Sequence, residues 1–438
     1  MKRDKERTLE IWMNGDLVGH WRQTTQGQTV QYADSWVFSN EHRPLSLSLP
    51  VVIPNLQITG PQVASFFDNL LPDNADIRKR IQYRYGCPST SPFDLLTEIG
   101  RDCVGALQIL PIGAKPPEVH TIIAEPLSET DIATILRSVA TSSLPGMTAE
   151  NSFRISIAGA QEKTALLFHE GQWCKPIGAT PTTHIFKLPL GGLTNMQVDM
   201  RQSIENEWLC LRLLKAWGME VAQADIAQFE DQRVLIVERF DRRLSVDGTW
   251  WLRIPQEDLC QATGTPPDRK YENEGGPGML DTMKLLLGAR DSESDRRKFL
   301  KAQVLFWLFA APDGHAKNFS VFLERQGYYH LTPLYDVMSV YPVLGHGVGK
   351  IPSQHVRLAM AVHGESRHYE WAKIHKRHWI EAAGNCGAKS LMDEVIFEVL
   401  NQMPSAIAQV ASSLPTDFPE EVALPIFKGI QKTAEKLD

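Results

Sequence analysis

The hydrophobic pattern begins as sheet. Leu9 to Met13 and Leu17 to Arg22 flank Asn14-Gly15, a strong hairpin signal. Leu45, Leu47 and Leu49 alternate with Ser46 and Ser48 between Pro44 and Pro50, which predicts a period-2 strand. Val63, Phe66, Phe67 and Leu70 then fall on one side of a helix starting near Gly60, and 77–85 reads as a second, basic helix. Ser128 with Asp131 marks another helix start, given an apolar face by Ile132, Ile135 and Leu136. Residues 154–167 and 183–188 read as strands, the first with a special loop inside it. Residues 203–217 read as a helix ended by Gly218, and 234–240 as a short buried strand. Beyond Asp241 the pattern turns helical. Residues 299–311 are apolar nearly all round, which predicts a buried helix ending at Pro312. A strand is expected at 328–331, and helix again from Trp371, with Val395, Leu400 and Met403 in the core. There is no internal repeat and no low-complexity tract.

At 438 residues the chain exceeds one typical core, so two or more lobes are expected. The expected division is 1–118, a β-rich N-terminal subdomain; 119–240, a further strand-containing part, to which the candidate chemistry below gives nucleotide binding; and 241–438, a helical C-lobe, to which it gives the catalytic loop. The proline-rich stretch 113–117 marks the first boundary. Hydrophobic content of 43% and charged content of 22% are ordinary for a soluble globular protein, and a net charge of −7 excludes a general polyanion binder while leaving room for a local basic patch. The six cysteines include no C-x-x-C pair, so neither a zinc site nor a small disulfide framework is expected, and free thiols in a reducing cytoplasm are the simplest reading. The charged first ten residues lead into no apolar h-region, and no run of 18 apolar residues exists; neither a signal peptide nor a membrane span is expected, and the location is read as cytoplasmic.

Candidate chemistry centres on Asp313 and Asn318, five residues apart in Pro312-Asp313-Gly314-His315-Ala316-Lys317-Asn318. In phosphotransferases a catalytic-loop Asp accepts the acceptor hydroxyl's proton, and an Asn five residues on holds Mg²⁺. Asp336 is placed to be the second Mg²⁺ ligand, without the Phe-Gly that follows it in eukaryotic-type kinases. Lys317 would neutralise γ-phosphate charge, and His315 either joins the catalytic and nucleotide contacts or simply positions the loop. A phosphate-cradling loop is read at 156–164 (Ser-Ile-Ala-Gly-Ala-Gln-Glu-Lys-Thr), where Ala158, Gly159, Ala160, Gln161, Glu162 and Lys163 would approach phosphate; an ordinary hairpin turn is the competing reading. The ending Lys163-Thr164 is similar to a Walker A motif, but Glu162 stands where its glycine belongs, so a P-loop NTPase is disfavoured. Lys187, late in an apolar strand, is the candidate for the α/β-phosphates with Glu207 (or Glu205) as its helix partner, or else a snorkelling edge lysine. Glu238-Arg239-Phe240 is either a hinge whose backbone meets adenine or a charged strand end. The basic run 373–378, with Lys373, Lys376 and Arg377, is either a contact to DNA phosphates or a solvated helix face.

These strings resemble the HipA family, the toxins of HipA–HipB toxin–antitoxin modules. The likeness runs nearly the whole length: 43–50, 67–73, 98–102, 153–164, 238–243, Gly275-Gly276-Pro277-Gly278, 313–318 and 413–419. It implies an α+β, two-lobed protein-kinase-like fold, with an extra N-terminal β subdomain on a β-rich N-lobe and an all-helical C-lobe. It implies a serine/threonine-protein kinase using ATP and Mg²⁺, with Asp313 catalytic, Asn318 and Asp336 on the metal, Lys187 on ATP, Glu238 to Phe240 at adenine and Tyr335 among the nucleotide contacts. Ser156 matches the autophosphorylated serine of these kinases, whose modification inactivates them. The family's partners are a HipB-type helix-turn-helix antitoxin and, through the complex, operator DNA. The expected target is glutamyl-tRNA synthetase, whose phosphorylation stalls translation and brings growth arrest and drug tolerance. Lys376 stands where the family carries a proline. Two other readings stay open: a corepressor with a vestigial kinase, and a small-molecule kinase of the aminoglycoside type, which shares the Asp-to-Asn spacing but lacks the N-terminal domain.

Overall fold

In a computed structural model, residues 6–51, 53–140, 161–193 and 198–437 are described. The chain forms two compact units that interleave in sequence. The first takes residues up to Leu188, Ala227–Asp268 and Val321–Tyr328; the second takes Pro189–Ile226, Arg269–Ser320 and Tyr329 onward. The arrangement is α+β in two units, the class anticipated.

In the first unit, β1 (Arg7–Met13) and β2 (Asp16–Thr24) form the expected hairpin. Asn14 (φ 48°) and Gly15 (φ 92°) supply the left-handed pair that a two-residue hairpin turn needs. With β3 (Gly27–Tyr32), β4 (Gln57–Thr59) and β5 (Leu107–Pro111) they make an antiparallel sheet in the order β4-β3-β2-β1-β5. Helices α1 (Pro61–Asp68), α2 (Ala75–Tyr85) and α3 (Pro92–Ile99) follow; α1 buries Val63, Phe66 and Phe67, and Phe67 stacks on Trp21 at 3.7 Å between ring centroids. A second sheet contains β6 (Ala124–Pro126), β7 (Lys163–His169), β8 (Gln172–Pro176), β9 (His184–Lys187) and β10 (Gln232–Glu238), in the spatial order β10-β9-β7-β8-β6. It packs Leu166, Phe186 and Val234 against Ile132, Ala133 and Leu136 of α4 (Glu129–Ala140). That helix starts as the Ser128/Asp131 pair predicts, with Ser128 Oγ accepting the Asp131 N–H and the Asp131 carboxylate accepting the Ser128 N–H. A short hairpin, β11 (Arg242–Leu244) and β12 (Trp251–Arg253), closes the unit's chemistry-bearing part.

Residues 45–49 correct the sequence reading. They are a turn, not a strand: Leu49 N–H donates to Ser46 O, and both Ser46 and Ser48 hydroxyls donate to Gln261 O. Alternating serines here answer backbone carbonyls, so the period-2 pattern does not report a pleat. Leu47 N–H donates to Glu257 Oε1 at 2.8 Å, while Glu257 Oε2 has no hydrogen-bond partner and the residue is wholly buried. Burial pushes the Glu257 carboxyl up to about 8. The folded state therefore holds a proton that the unfolded chain releases above its ordinary 4.5. The stability contributed is full below that value and is lost as pH rises through about 8. Glu257→Gln should remove this dependence: the Tm difference between variant and wild type, measured from pH 5 to 9, widens in the variant's favour as pH rises. A pH-independent difference would refute it.

The second unit is mostly helical: α5 (Ser203–Ala216), α6 (Met279–Leu285), α7 (Ser292–Leu308), α8 (Lys376–Asn385), α9 (Lys389–Ser412) and α10 (Glu420–Ala434). Gly218 (φ 77°) follows the end of α5 as expected. Strands stand among these helices, including the one expected near 328–331 (Tyr329–Leu331) and the pair β13 (Arg357–His363) and β14 (Arg367–Glu370); with β11 and β12 also beyond residue 241, the expectation of an all-helical C-lobe over 241–438 needs that amendment. In α9 the buried face is Met392, Val395, Ile396 and Val399; Leu400 and Met403 are only half-buried, one step round the helix from that face. Among the described residues no helix is long and apolar enough to cross a membrane, and no disulfide joins any of the six cysteines.

Candidate active site

Helix α7 is apolar in its second half because it runs through the core of its unit; from Phe299 to Leu308 every residue is buried. It ends where Ala310 turns left-handed (φ 46°), with Ala311 N–H donating back to Phe306 O and Ala310 N–H to Trp307 O. An alanine in that region costs about 1 kcal/mol, so the turn is held by its surroundings: Val340 N–H donates to Ala310 O, and Ala359 N–H of β13 donates to Pro312 O. The loop then folds over its own helix. A Cβ on Gly314 would lie 2.6 Å from the Phe306 ring, and Phe306 stacks on Phe319. Only glycine lets the loop pass that ring.

This path turns Asp313 outward and the rest inward. The Asp313 side chain is 57% exposed, whereas His315, Lys317 and Asn318 are buried. The loop is closed by backbone bonds from His315 N–H to Asp313 O and from Asn318 N–H to His315 O. Asn318 Nδ2 donates to Asp313 O at 2.7 Å and reaches Asp336 O at 3.5 Å. One amide thus ties the catalytic-loop candidate to the Asp336 segment. With Nδ2 so engaged, the oxygen end of the amide is the part that can serve a cation, and a carboxylate with an amide oxygen is a donor set suited to a hard ion such as Mg²⁺. Asp336 sits at φ 59°, an uncommon conformation for a non-glycine residue that collects at functional sites. Tyr335 is occupied structurally: its hydroxyl donates to Lys317 O at 2.9 Å and pairs with Ser320 Oγ.

Sequence reasoning missed Tyr271. Its hydroxyl donates to Asp313 Oδ1 at 2.6 Å, and its ring meets the His315 ring edge-on at 5.1 Å. The signal was the string Gly275-Gly276-Pro277-Gly278, which marks a tight turn just beyond it.

The phosphate-loop, lysine and adenine-segment candidates belong to the first unit. Lys187, buried, ends β9 and stands in register with Lys163 of β7, so both lysines project from one face of the sheet. Leu188 N–H donates to Glu162 O, Gln161 Nε2 donates to Leu188 O, and the Glu162 carboxylate pairs with Arg80 of α2. Gln161 and Glu162 therefore brace the loop exit with their side chains. Ser156, Ala158, Gly159 and Ala160 lie outside the described residues. Glu238 is exposed at the end of β10. Arg239 points the other way, into a wholly buried cluster with Arg242, Arg253, Asp102 and Asp241, and its N–H is taken by Thr183 O. Phe240 packs edge-on against Phe322. Glu205 and Glu207, the suggested partners of Lys187, are buried in α5 of the second unit.

In the basic run, Lys373 and Arg377 are exposed, with Lys373 paired to Glu370 at 2.7 Å. His378 is turned inward, where burial lowers its pKa and its Nδ1 accepts the His375 N–H to cap α8. Half of the run thus builds the helix start, leaving two exposed cations and the half-buried Lys376.

Residues 155–407 match the family model described as HipA-like C-terminal domain, and residues 9–110 match that described as HipA N-terminal domain. The chain is 34% identical over 361 residues to a putative kinase, Y4mE, of Sinorhizobium fredii, covering 81% of this chain and 82% of that one. It is 27% identical over 429 residues to the serine/threonine-protein kinase toxin HipA of Shewanella oneidensis, covering 95% and 92%. Among solved structures it matches the Shewanella oneidensis complex of HipA, HipB and operator DNA with a TM-score of 0.78 at 25% identity, over 98% of this chain and 96% of that one.

Proposed function

The chain belongs to the HipA family, and from that premise we propose that it is an ATP- and Mg²⁺-dependent serine/threonine-protein kinase toxin. The observation that carries the reading is the Asn318 amide, 2.7 Å from Asp313 O and 3.5 Å from Asp336 O. It holds an exposed carboxylate and a candidate metal ligand in one rigid constellation, the arrangement that positioning-based phosphoryl transfer needs.

In this reading the Asp313 carboxylate takes the proton of the acceptor serine or threonine hydroxyl. The hydroxyl oxygen forms a bond to the γ-phosphorus, the bond from that phosphorus to the β-phosphate oxygen breaks, and ADP leaves. Lys317 and His315 line the loop beside the transferred group, and Lys187 and Lys163 hold phosphates. Backbone of Glu238 to Phe240 meets adenine; within that segment the Arg239 N–H is taken by Thr183 O, and Arg239 O accepts the Arg242 N–H. Asn318 and Asp336 hold Mg²⁺, which when bound neutralises charge on the phosphates. The regions 1–118, 119–240 and 241–438 serve as N-terminal subdomain, nucleotide-binding part and catalytic part.

Regulation and partners complete the proposal. Autophosphorylation at Ser156 places a dianion in the phosphate loop, where it repels ATP phosphates and shuts the kinase off. The Shewanella oneidensis relative is solved with HipB and operator DNA. By that likeness this chain pairs with a HipB-type antitoxin as corepressor, and Lys373, Lys376 and Arg377 meet the DNA backbone. The expected substrate is glutamyl-tRNA synthetase. Incubating the purified chain with γ-labelled ATP and that synthetase should label the synthetase and add one phosphate at Ser156. A chain that binds ATP and labels neither would overturn the kinase reading in favour of a vestigial corepressor.

A further inference from the structure

Asp313 is an exposed carboxylate on a loop, and such a side chain rotates freely unless something holds it. Its neighbour on the Oδ2 side is His315 Nε2, 3.9 Å away, too far for a hydrogen bond. On the Oδ1 side stands the Tyr271 hydroxyl at 2.6 Å. We propose that Tyr271 is a positioning residue for phosphoryl transfer: its hydroxyl fixes the Asp313 rotamer through Oδ1 and leaves Oδ2 to receive the acceptor's proton. The proposal rests on the reading of Asp313 as the general base.

The loop carrying Tyr271 is built to hold that oxygen still. Tyr271 O accepts two N–H groups, from Glu274 and Gly276, each at 3.0 Å. Gly275 is left-handed (φ 98°), and a Cβ on Gly276 would fall 2.1 Å from Arg269 O, so the chain reverses in a space that only glycine fits. Glu272 Oε2 accepts the Ala361 N–H of β13 at 2.6 Å, which anchors the loop to the strand whose Ala359 also holds Pro312. Ala316 N–H donates to Lys270 O at 3.2 Å. The catalytic loop and the Tyr271 loop therefore share one brace, β13, and touch at both a main-chain and a side-chain hydrogen bond. A phenol that merely filled space would need neither the hydroxyl nor this frame. The ring packs on His315 whether or not the hydroxyl is present, so Tyr271→Phe isolates the hydrogen bond.

The test is steady-state phosphotransfer by Tyr271→Phe in the full chain, with thermal melting and binding of a fluorescent ATP analogue. The expected result is a fall in kcat of about 10- to 100-fold, the scale of a misplaced catalytic group, with KM for ATP, analogue affinity and Tm unchanged. In an Asp313→Asn background the same substitution should have no further effect, because an orienting bond has nothing left to orient. A Tyr271→Phe enzyme with wild-type kcat overturns the proposal. So does one with raised kcat, which would make the hydroxyl an inhibitor occupying the acceptor's place. So does an equal effect of Tyr271→Phe in the Asp313→Asn background, which would make its role independent of Asp313. A wild-type chain that binds the analogue but transfers no phosphate overturns the kinase reading itself, and this proposal with it.

Discussion

Asp313→Asn should fold with the Tm of the wild type and lose phosphotransfer by about 10²- to 10⁴-fold, the contribution of a positioned general base. The two side chains are nearly isosteric, and the Tyr271 hydroxyl's hydrogen bond to the Asp313 carboxylate can be accepted equally by an amide oxygen. The side chain is more than half exposed, so its charge contributes little to stability. What the amide cannot do is take a proton. Labelled-phosphate transfer, a thermal melt and growth on induced expression check all three parts: transfer lost, Tm kept, growth arrest relieved. Transfer within a few-fold of wild type would remove Asp313 from the mechanism, and a large drop in Tm would mean the carboxylate holds the loop together.

The largest effect on stability is expected at Asp102, which is not in the catalytic loop. It is buried among three arginines, accepting Arg242 at 2.9 Å and Arg239 and Arg253 at 3.3 Å, with Thr182 donating its hydroxyl at 2.7 Å and its N–H at 3.1 Å. Arg242 and Arg253 are directly paired across the β11–β12 hairpin, an unfavourable like-charge juxtaposition unless a carboxylate lies between them. Burial alone would raise the Asp102 carboxyl; the charges of Arg242, Arg239 and Arg253 outweigh it and hold the group well below the usual carboxylate range. Asp241 is the cluster's other carboxylate, and burial already pushes Arg253 down to about 10. Removing Asp102 leaves a buried guanidinium without its charge partner, which costs about 3–5 kcal/mol. In denaturant, the transition of the first unit should move to markedly lower midpoint in Asp102→Asn, while Glu238→Ala, exposed nearby, should shift it by less than about 0.5 kcal/mol. A loss below about 1 kcal/mol at Asp102 would show that the cluster is internally solvated. The cluster also ties the segment around 98–105 to 238–243: Arg239 and Arg242 both donate to Cys103 O, and Gly105 N–H donates to Asp241.

Local signals in the chain were reliable wherever the physics is local. Asn14-Gly15 demands left-handed backbone and receives it. Ser128 and Asp131 satisfy each other's N–H groups within one turn. The apolar run ahead of Pro312 is buried all round. Signals failed where side chains answer distant partners. Ser46 and Ser48 alternate with leucines as a strand would, yet their hydroxyls serve Gln261, more than two hundred residues away. Arg239 reads as part of a charged strand end, and it is buried because Asp102 and Asp241 receive it.

By itself, the sequence determined the order of elements, the family, and the identity of the groups able to accept a proton or hold a cation, because spacing and side-chain chemistry are properties of the chain. The tertiary structure decided which of those groups are held and by what. It turned Asp313 outward while burying Asn318, joined Asp313 to Asp336 through one amide, and brought Tyr271 across forty-two residues to the Asp313 carboxylate. Such contacts depend on where two loops are braced on a common strand, and no residue spacing encodes that.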